Sequence, residues 1–184
     1  MFIALEGIDG AGKGTICGWL AQTHGFRHVR FPSGLIPTIE EALTGQRELR
    51  PETLTLLFLA EMLEENLNNA AAERYYFSTL VYEGELWGMA HVRRIVESLP
   101  LRRPDAVILL DVEPEVGLRR KGKSARSLFE RVDFLSRVRR RYLELADEQY
   151  HTRWFVVDAN QSLDKVKADV ISILRTLDQN NVLQ

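Results

Sequence analysis

Apolar positions along the chain follow two rhythms. Unbroken apolar runs at residues 2–5 (FIAL), 106–111 (AVILLD) and 154–157 (WFVV) read as strands covered on both faces, because a half-exposed strand alternates. Elsewhere the apolar residues recur at three and four. Ile16, Trp19 and Leu20 do so within 13–23, and Leu54, Leu57, Phe58 and Met62 do so after Pro51. Phe134, Leu135, Val138, Tyr142 and Leu145 follow within 128–147, and Leu163, Val166, Val170, Ile173, Leu174 and Leu177 close the chain. Each set predicts an amphipathic helix. A short strand is expected over 27–31, broken by Pro32-Ser33-Gly34, with short helices over 36–43 and from Pro114. Strands alternating with helices predict an α/β fold: one domain over residues 1–184, a doubly wound parallel sheet with helices on both faces.

Composition narrows the possible partners. A chain of 184 residues, 45% apolar, can bury one substantial core. Its formal charge of −2 offers no global attraction to nucleic acid or to an anionic membrane, so neither is an expected partner. Any phosphate binding must come from local clusters of Lys and Arg. No run approaches the ~20 apolar residues of a membrane span, and Glu6 interrupts the first apolar stretch too early for a signal peptide. A cytoplasmic location is the expectation. Cys17 stands alone, which excludes an internal disulfide, and is expected to pack inside the first helix. His24, His28, His91 and His151 lack ligand spacing, so no transition metal is implied. Arg137, Arg139, Arg140 and Arg141 fall mostly off the apolar side of their helix and are expected to form a solvated basic face.

One motif carries chemistry. Gly7-Ile8-Asp9-Gly10-Ala11-Gly12-Lys13 fits G-x-x-x-x-G-K between an expected strand and an expected helix, the P-loop context. Such glycines let successive backbone N–H groups converge on phosphate oxygens at a helix N-terminus, and the lysine adds a point charge for the β- and γ-phosphates. Gly14 stands where most such loops carry a magnesium-binding hydroxyl, while Thr15 follows at once. Magnesium is then expected to rest on phosphates, waters and a carboxylate. Asp111, ending an apolar run, is one candidate; a strand-terminal turn is the other reading of that residue. Residues 119–126 (RRKGKSAR) carry five cations and are expected to form a basic lid, reaching to about residue 128, that closes over a triphosphate.

Several segments, in order, resemble the thymidylate kinases, a family of P-loop nucleoside monophosphate kinases. These are FIALEGIDGAGKGT, RFP, LLFLAE, ERYYFSTLVYEG, RPDAVILLDVEPEVGLRR and FVVDANQSLDKV. The GKGT ending also resembles that of adenylate kinases. The resemblance implies a P-loop NTPase-type fold and transfer of the ATP γ-phosphoryl group to dTMP, with magnesium, by a homodimer. It implies that Lys13 grips ATP together with Gly7, Gly10, Ala11, Gly12, Gly14 and Thr15, and that Asn160 and Gln161, after Ala159, approach adenine. Asp9 is implied beside the acceptor sugar, Phe58 stacked on the acceptor base, Arg74 between the two phosphates, and Ser78 and Tyr82 along the sugar and base. Lys13, Asp9, Glu73, Arg74, Arg120 and Arg126 form the implied catalytic set.

Departures from the family pattern fall on the acceptor side. Glu73 replaces an aspartate, Met62 an arginine that hydrogen-bonds the base, Glu83 a glutamine and Leu128 an arginine, while Ser33-Gly34 lacks the arginine for the acceptor phosphate. The family also has a strand directly before its counterpart of Glu73. Here NLNNAAA offers no branched or aromatic run. Either RYYFSTLVY is itself that strand, which displaces Arg74 and Tyr82, or the strand is missing and the acceptor half is remodelled. Two alternatives to dTMP phosphorylation stay open at this point: a kinase with another acceptor, and a non-catalytic ATP-binding relative acting through a partner.

Overall fold

The chain begins in the sheet. Phe2–Glu6 form β1, with all five residues buried, and a glycine-rich turn leads into α1 (Lys13–His24). There follow β2 (Arg27–Arg30), α2 (Pro37–Leu43), α3 (Pro51–Glu64), β3 (Ala70–Glu73), α4 (Tyr76–Trp87), α5 (Met89–Ser98) and β4 (Ala106–Asp111). The chain closes with α6 (Pro114–Arg120), α7 (Ala125–Asp147), β5 (Arg153–Asp158) and α8 (Leu163–Asn181). This computed structural model describes residues 1–122 and 125–181, without the side chains of 125–131, 180 and 181.

The strands lie in the order β2-β3-β1-β4-β5, all parallel, so the expected doubly wound α/β sheet is present. β1 sits in the middle, and the chain winds away from it in both directions. The glycine-rich turn therefore leaves the sheet at the point where strand order reverses, where open α/β sheets bind ligands. Leu135, Val138, Tyr142 and Leu145 of α7 are buried as their spacing predicts, and Cys17 packs inside α1.

The segment before Glu73 corrects the expectation drawn from residue type. Ala70–Glu73 is a strand, and the β-rich stretch RYYFSTLVY is not one but enters α4. β3 lies between two partners, with Ile3 opposite Ala71 on one side and Val29 opposite Ala72 on the other. Its three alanines are wholly buried. Strand propensity reports side-chain packing more than backbone preference, so a central strand with ladders on both edges tolerates small side chains. α4 in turn buries Tyr76, Phe77, Leu80 and Val81 on one broad face. Its start is held by the Glu6 carboxylate, which accepts the Tyr75 N–H at 2.8 Å and the Ser78 hydroxyl at 2.7 Å. Arg74 and Tyr82 are thus not displaced.

Two further differences concern helices. No element is expected over residues 89–98, yet Met89–Ser98 form α5, which buries Val92 and Val96 with Ile95 partly covered. The expected basic face of α7 is only partly solvated. Arg139 turns back to grip Asp111 with two hydrogen bonds (2.6 and 2.8 Å) and Glu113 with a third (2.7 Å), while Arg137 and Arg141 share Glu85. Asp111, one candidate for the magnesium carboxylate, is therefore engaged by a guanidinium.

Candidate active site

The loop after β1 is shaped by contact with α6. Gly10 has φ +81°, and a Cβ there would stand 2.0 Å from the Gly117 carbonyl oxygen; a Cβ on Gly117 would stand 2.4 Å from that of Asp9. Backbone lies directly on backbone, which no side chain permits. The first turn of α1 then presents its amides to the space in front of the loop. Lys13 is buried, and its ammonium donates to the carbonyls of Gly7 (2.8 Å) and Ile8 (2.9 Å). Burial, reinforced by the Arg74 charge, lowers its pKa to about 7.

The position of Gly14 is explained from across the sheet. A Cβ at residue 14 would lie 2.8 and 3.1 Å from the two carboxylate oxygens of Glu73, at the end of β3. Glu73 thus occupies the space that a side chain at residue 14 would need. His28 approaches the same carboxylate at 3.3 Å.

Beside this pair stands a charged cluster. Arg74, with the left-handed backbone φ of +69°, donates to Asp9 at 2.6 Å and to the Ser78 hydroxyl at 3.0 Å, and its guanidinium lies 5.0 Å from the centre of the Tyr82 ring. Lys121, just past α6, reaches Asp9 at 3.2 Å. Burial alone would raise the Asp9 pKa, but Arg74 and Lys121 outweigh it and hold the carboxyl below its usual range. Ser78 and Tyr142 both donate to Glu6. Burial pushes the Glu6 carboxyl above the usual range despite these donors.

These groups open on one cavity of about 530 Å³. Asp9, Gly10, Gly12, Lys13, Gly14 and Thr15 line it from the loop, Glu73 and Arg74 from the end of β3, and Ser78 and Tyr82 from α4. Phe58 and Met62 of α3 face them, with Glu83 of α4 and Arg30 of β2 completing the wall. Gly7 and Ala11 are buried behind the loop. Three further predicted residues lie outside this cavity. Arg120 donates to the carbonyls of Ala159 (2.9 Å) and Gly10 (3.4 Å), Asn160 bonds Asp158 and the Glu113 N–H, and Gln161 bonds Asp169. The side chains of Arg126 and Leu128, and residues 123 and 124 of the lid segment, lie outside the described residues.

Three contributors were invisible in the motifs. Glu61 is fully buried and accepts the N–H groups of Ser33 (2.8 Å) and Ile36 (2.9 Å), fixing the segment after Phe31-Pro32 beside the cavity. Glu6 anchors the start of α4, and Gly117 shapes the loop from below. A charged residue within an apolar run hinted at Glu6; Glu61 reads in sequence as an ordinary helix-surface acid.

Residues 5–170 match a family model described as thymidylate kinase. The chain belongs to that family. It is 35% identical to a probable thymidylate kinase of Archaeoglobus fulgidus, across 96% of this chain and 95% of that one. It is 32% identical to a probable thymidylate kinase of Methanocaldococcus jannaschii (96% and 97%) and 34% identical to the thymidylate kinase of Pseudoalteromonas translucida (95% of each). Family membership makes the chain a phosphotransferase of nucleotides, a nucleoside monophosphate kinase. Neither a changed acceptor nor a non-catalytic role gains support from these thymidylate kinase relatives. Among the described residues no helix is long and apolar enough to cross a membrane.

Proposed function

We propose that this thymidylate kinase family member transfers the γ-phosphoryl group of ATP to dTMP, giving dTDP and ADP. The observation that carries the reading is the lining of this cavity, which brings the cations Lys13, Arg74 and Lys121 together with the apolar Phe58 and Met62. A nucleoside monophosphate joins the matching pair, a dianion and a flat ring. In the reaction a phosphate oxygen of dTMP bonds the γ-phosphorus while the bond to the β-bridging oxygen breaks and its electron pair leaves with ADP. Loop amides and Lys13 hold the donor phosphates. Arg74 stands where it can neutralise charge on the moving group, and Asp9 holds Arg74 in place, so positioning and charge compensation supply the rate. Arg30, on the cavity wall, offers the acceptor phosphate a cation that the segment after Pro32 lacks.

Magnesium fits this site through hard oxygen donors. Glu73, its carboxylate beside the first turn of α1, is the residue that would help hold the ion, and a bound magnesium supplies charge neutralisation at the β- and γ-phosphates. Arg120, tied to the loop and to Ala159, links the phosphate and adenine ends of the donor site, with Asn160 and Gln161 close to adenine. Arg126, which falls in the first turn of α7 within the segment expected to be a basic lid, belongs to the same catalytic reading. A homodimer is supported by an apolar stripe on α3, where Leu56 and Leu63, two turns apart, are 51% and 41% exposed, with Leu86 of α4 62% exposed. The lone thiol of Cys17 accords with a cytoplasmic setting.

The test is ADP release with Mg-ATP against a panel of nucleoside and deoxynucleoside monophosphates. Turnover with dTMP above all others is expected; none with any acceptor would overturn the enzymatic reading, and preference for another base would change the acceptor. Sedimentation of wild type and Leu56→Glu checks the dimer.

A further inference from the structure

Glu83 is the acid that the mechanism above does not use. It lies on the cavity-lining face of α4 with Tyr75, Ser78, Thr79 and Tyr82, eight residues and so about 12 Å along the helix from Tyr75. Its contact with Thr55 sets it against α3, the helix that also carries Phe58 and Met62. It is 6% exposed. Its hydrogen bond among the described residues is with the Thr55 hydroxyl, at 3.4 Å. That hydroxyl has one proton and already gives it to the Pro51 carbonyl at 2.9 Å, while receiving the Trp87 indole N–H at 3.3 Å. A buried carboxylate is therefore left with no strong donor.

Charged and titratable neighbours do not supply one. Asp9, Lys13, Glu73, Arg74 and Lys121 belong to the loop end of the cavity, where the salt bridges of Arg74 and Lys121 close on Asp9. Arg30 lies on β2, and Tyr82 packs against Arg74. On the elements packed around α4, Glu61 of α3 is spent on the Ser33 and Ile36 amides, His91 of α5 sits edge-on to Trp87, and Arg137 and Arg141 of α7 pair with Glu85. Burial accordingly pushes the Glu83 carboxyl up to about 6, opposed by Thr55 alone.

A neutral carboxylic acid offers one O–H donor and one C=O acceptor side by side; a carboxylate offers only acceptors. The imide edge of thymine presents N3–H beside the C4 carbonyl, the complement of the neutral acid, whereas an ionised acid would face that carbonyl with a second lone pair. We propose that Glu83 reads the N3–H and C4=O edge of the acceptor base as the neutral acid, so that dTMP binding takes up a proton at this side chain. The inference rests on dTMP being the acceptor. It also assigns a base-reading group to a cavity in which Met62 has no hydrogen to donate.

The test is calorimetric titration of dTMP at pH 7.5 to 8.5, in buffers of differing ionisation enthalpy, with wild type and Glu83→Gln. In this range the dTMP phosphate is already a dianion, and Lys13 is common to both proteins. Wild type should take up close to one more proton per dTMP than Glu83→Gln. The KM for dTMP should rise by up to about tenfold per pH unit above pH 6 in wild type and stay flatter in the variant, whose carboxamide donates and accepts at every pH. The pH profile of kcat should not separate the two. Equal proton uptake, or parallel KM profiles, would overturn the inference while leaving dTMP phosphorylation intact. Absence of dTMP binding and turnover in wild type at every pH would overturn both. Should Glu83→Gln fail to fold, the same titration on Lys13→Met removes the other group near neutrality: uptake close to one proton at pH 8 supports the proposal, and its absence overturns it.

Discussion

The two halves of the cavity are built from different material. The donor half is mainly backbone: amides at the start of α1, and a loop pressed so closely on α6 that only glycines fit. The acceptor half is side chains, with Phe58 and Met62 on α3 and Tyr82 and Glu83 on α4. Backbone construction leaves a spacing in the sequence, because the conformation demands glycine at set places. Side-chain construction leaves only residue identities, and those change with the ligand.

The largest effect should come from striking the donor half. Lys13→Met removes its one buried cation, and turnover should fall on the order of 10²–10³-fold in the ADP-release assay. A near-normal rate would place the donor phosphates elsewhere. Gly14→Ser restores the usual residue of such loops and brings its Cβ to 2.8 Å from the Glu73 carboxylate, the movable end of a flexible side chain, so stability should change by less than about 1 kcal/mol in chemical denaturation; a larger loss would mean that the carboxylate is held fast. On the acceptor side, Glu61→Ala leaves two amides without their partner and should cost about 1–3 kcal/mol, with a raised KM for dTMP and an unchanged KM for ATP.

Smaller effects follow from charge. The folded pKa of Lys13, about 7, lies below its ordinary value of 10.5, so the folded state binds fewer protons than the unfolded one. The resulting penalty is complete below pH 7 and fades as the pH rises towards 10.5. Melting profiles without nucleotide should therefore favour wild type over Lys13→Met progressively from pH 7 to 9, by up to ~1.4 kcal/mol per pH unit. Parallel profiles would mean that the ammonium is better solvated than its burial implies. Arg139→Ala should be the mildest, about 0.5–1 kcal/mol, since the pair with Asp111 lies at the rim.

The sheet shows what sequence can and cannot disclose. AVILLD announces β4 because both faces of that strand need large apolar cover, and the strand occupies the expected residues. AAAE conceals β3, because its place between β1 and β2 comes from partners far away in the chain. RYYFSTLVY misleads for the same reason: its aromatics satisfy a helix face as well as a strand face, and Glu6 decides between them from the end of β1. Among the site residues, the P-loop was legible from glycine spacing. Glu61 was not, since nothing local distinguishes a buried acid on a helix from a solvated one. Arg139 erred in the opposite direction, a cation on a polar face that finds two carboxylates.

The contact between Gly10 and Gly117 also has a mechanical side. α6 is a rod of seven residues, about 10 Å long, touching the P-loop near its middle and carrying Arg120 at its far end. A rod held at its waist can tilt but cannot slide. Any movement of α6 as a body is therefore a rotation about Gly117, and the loop serves as its fulcrum.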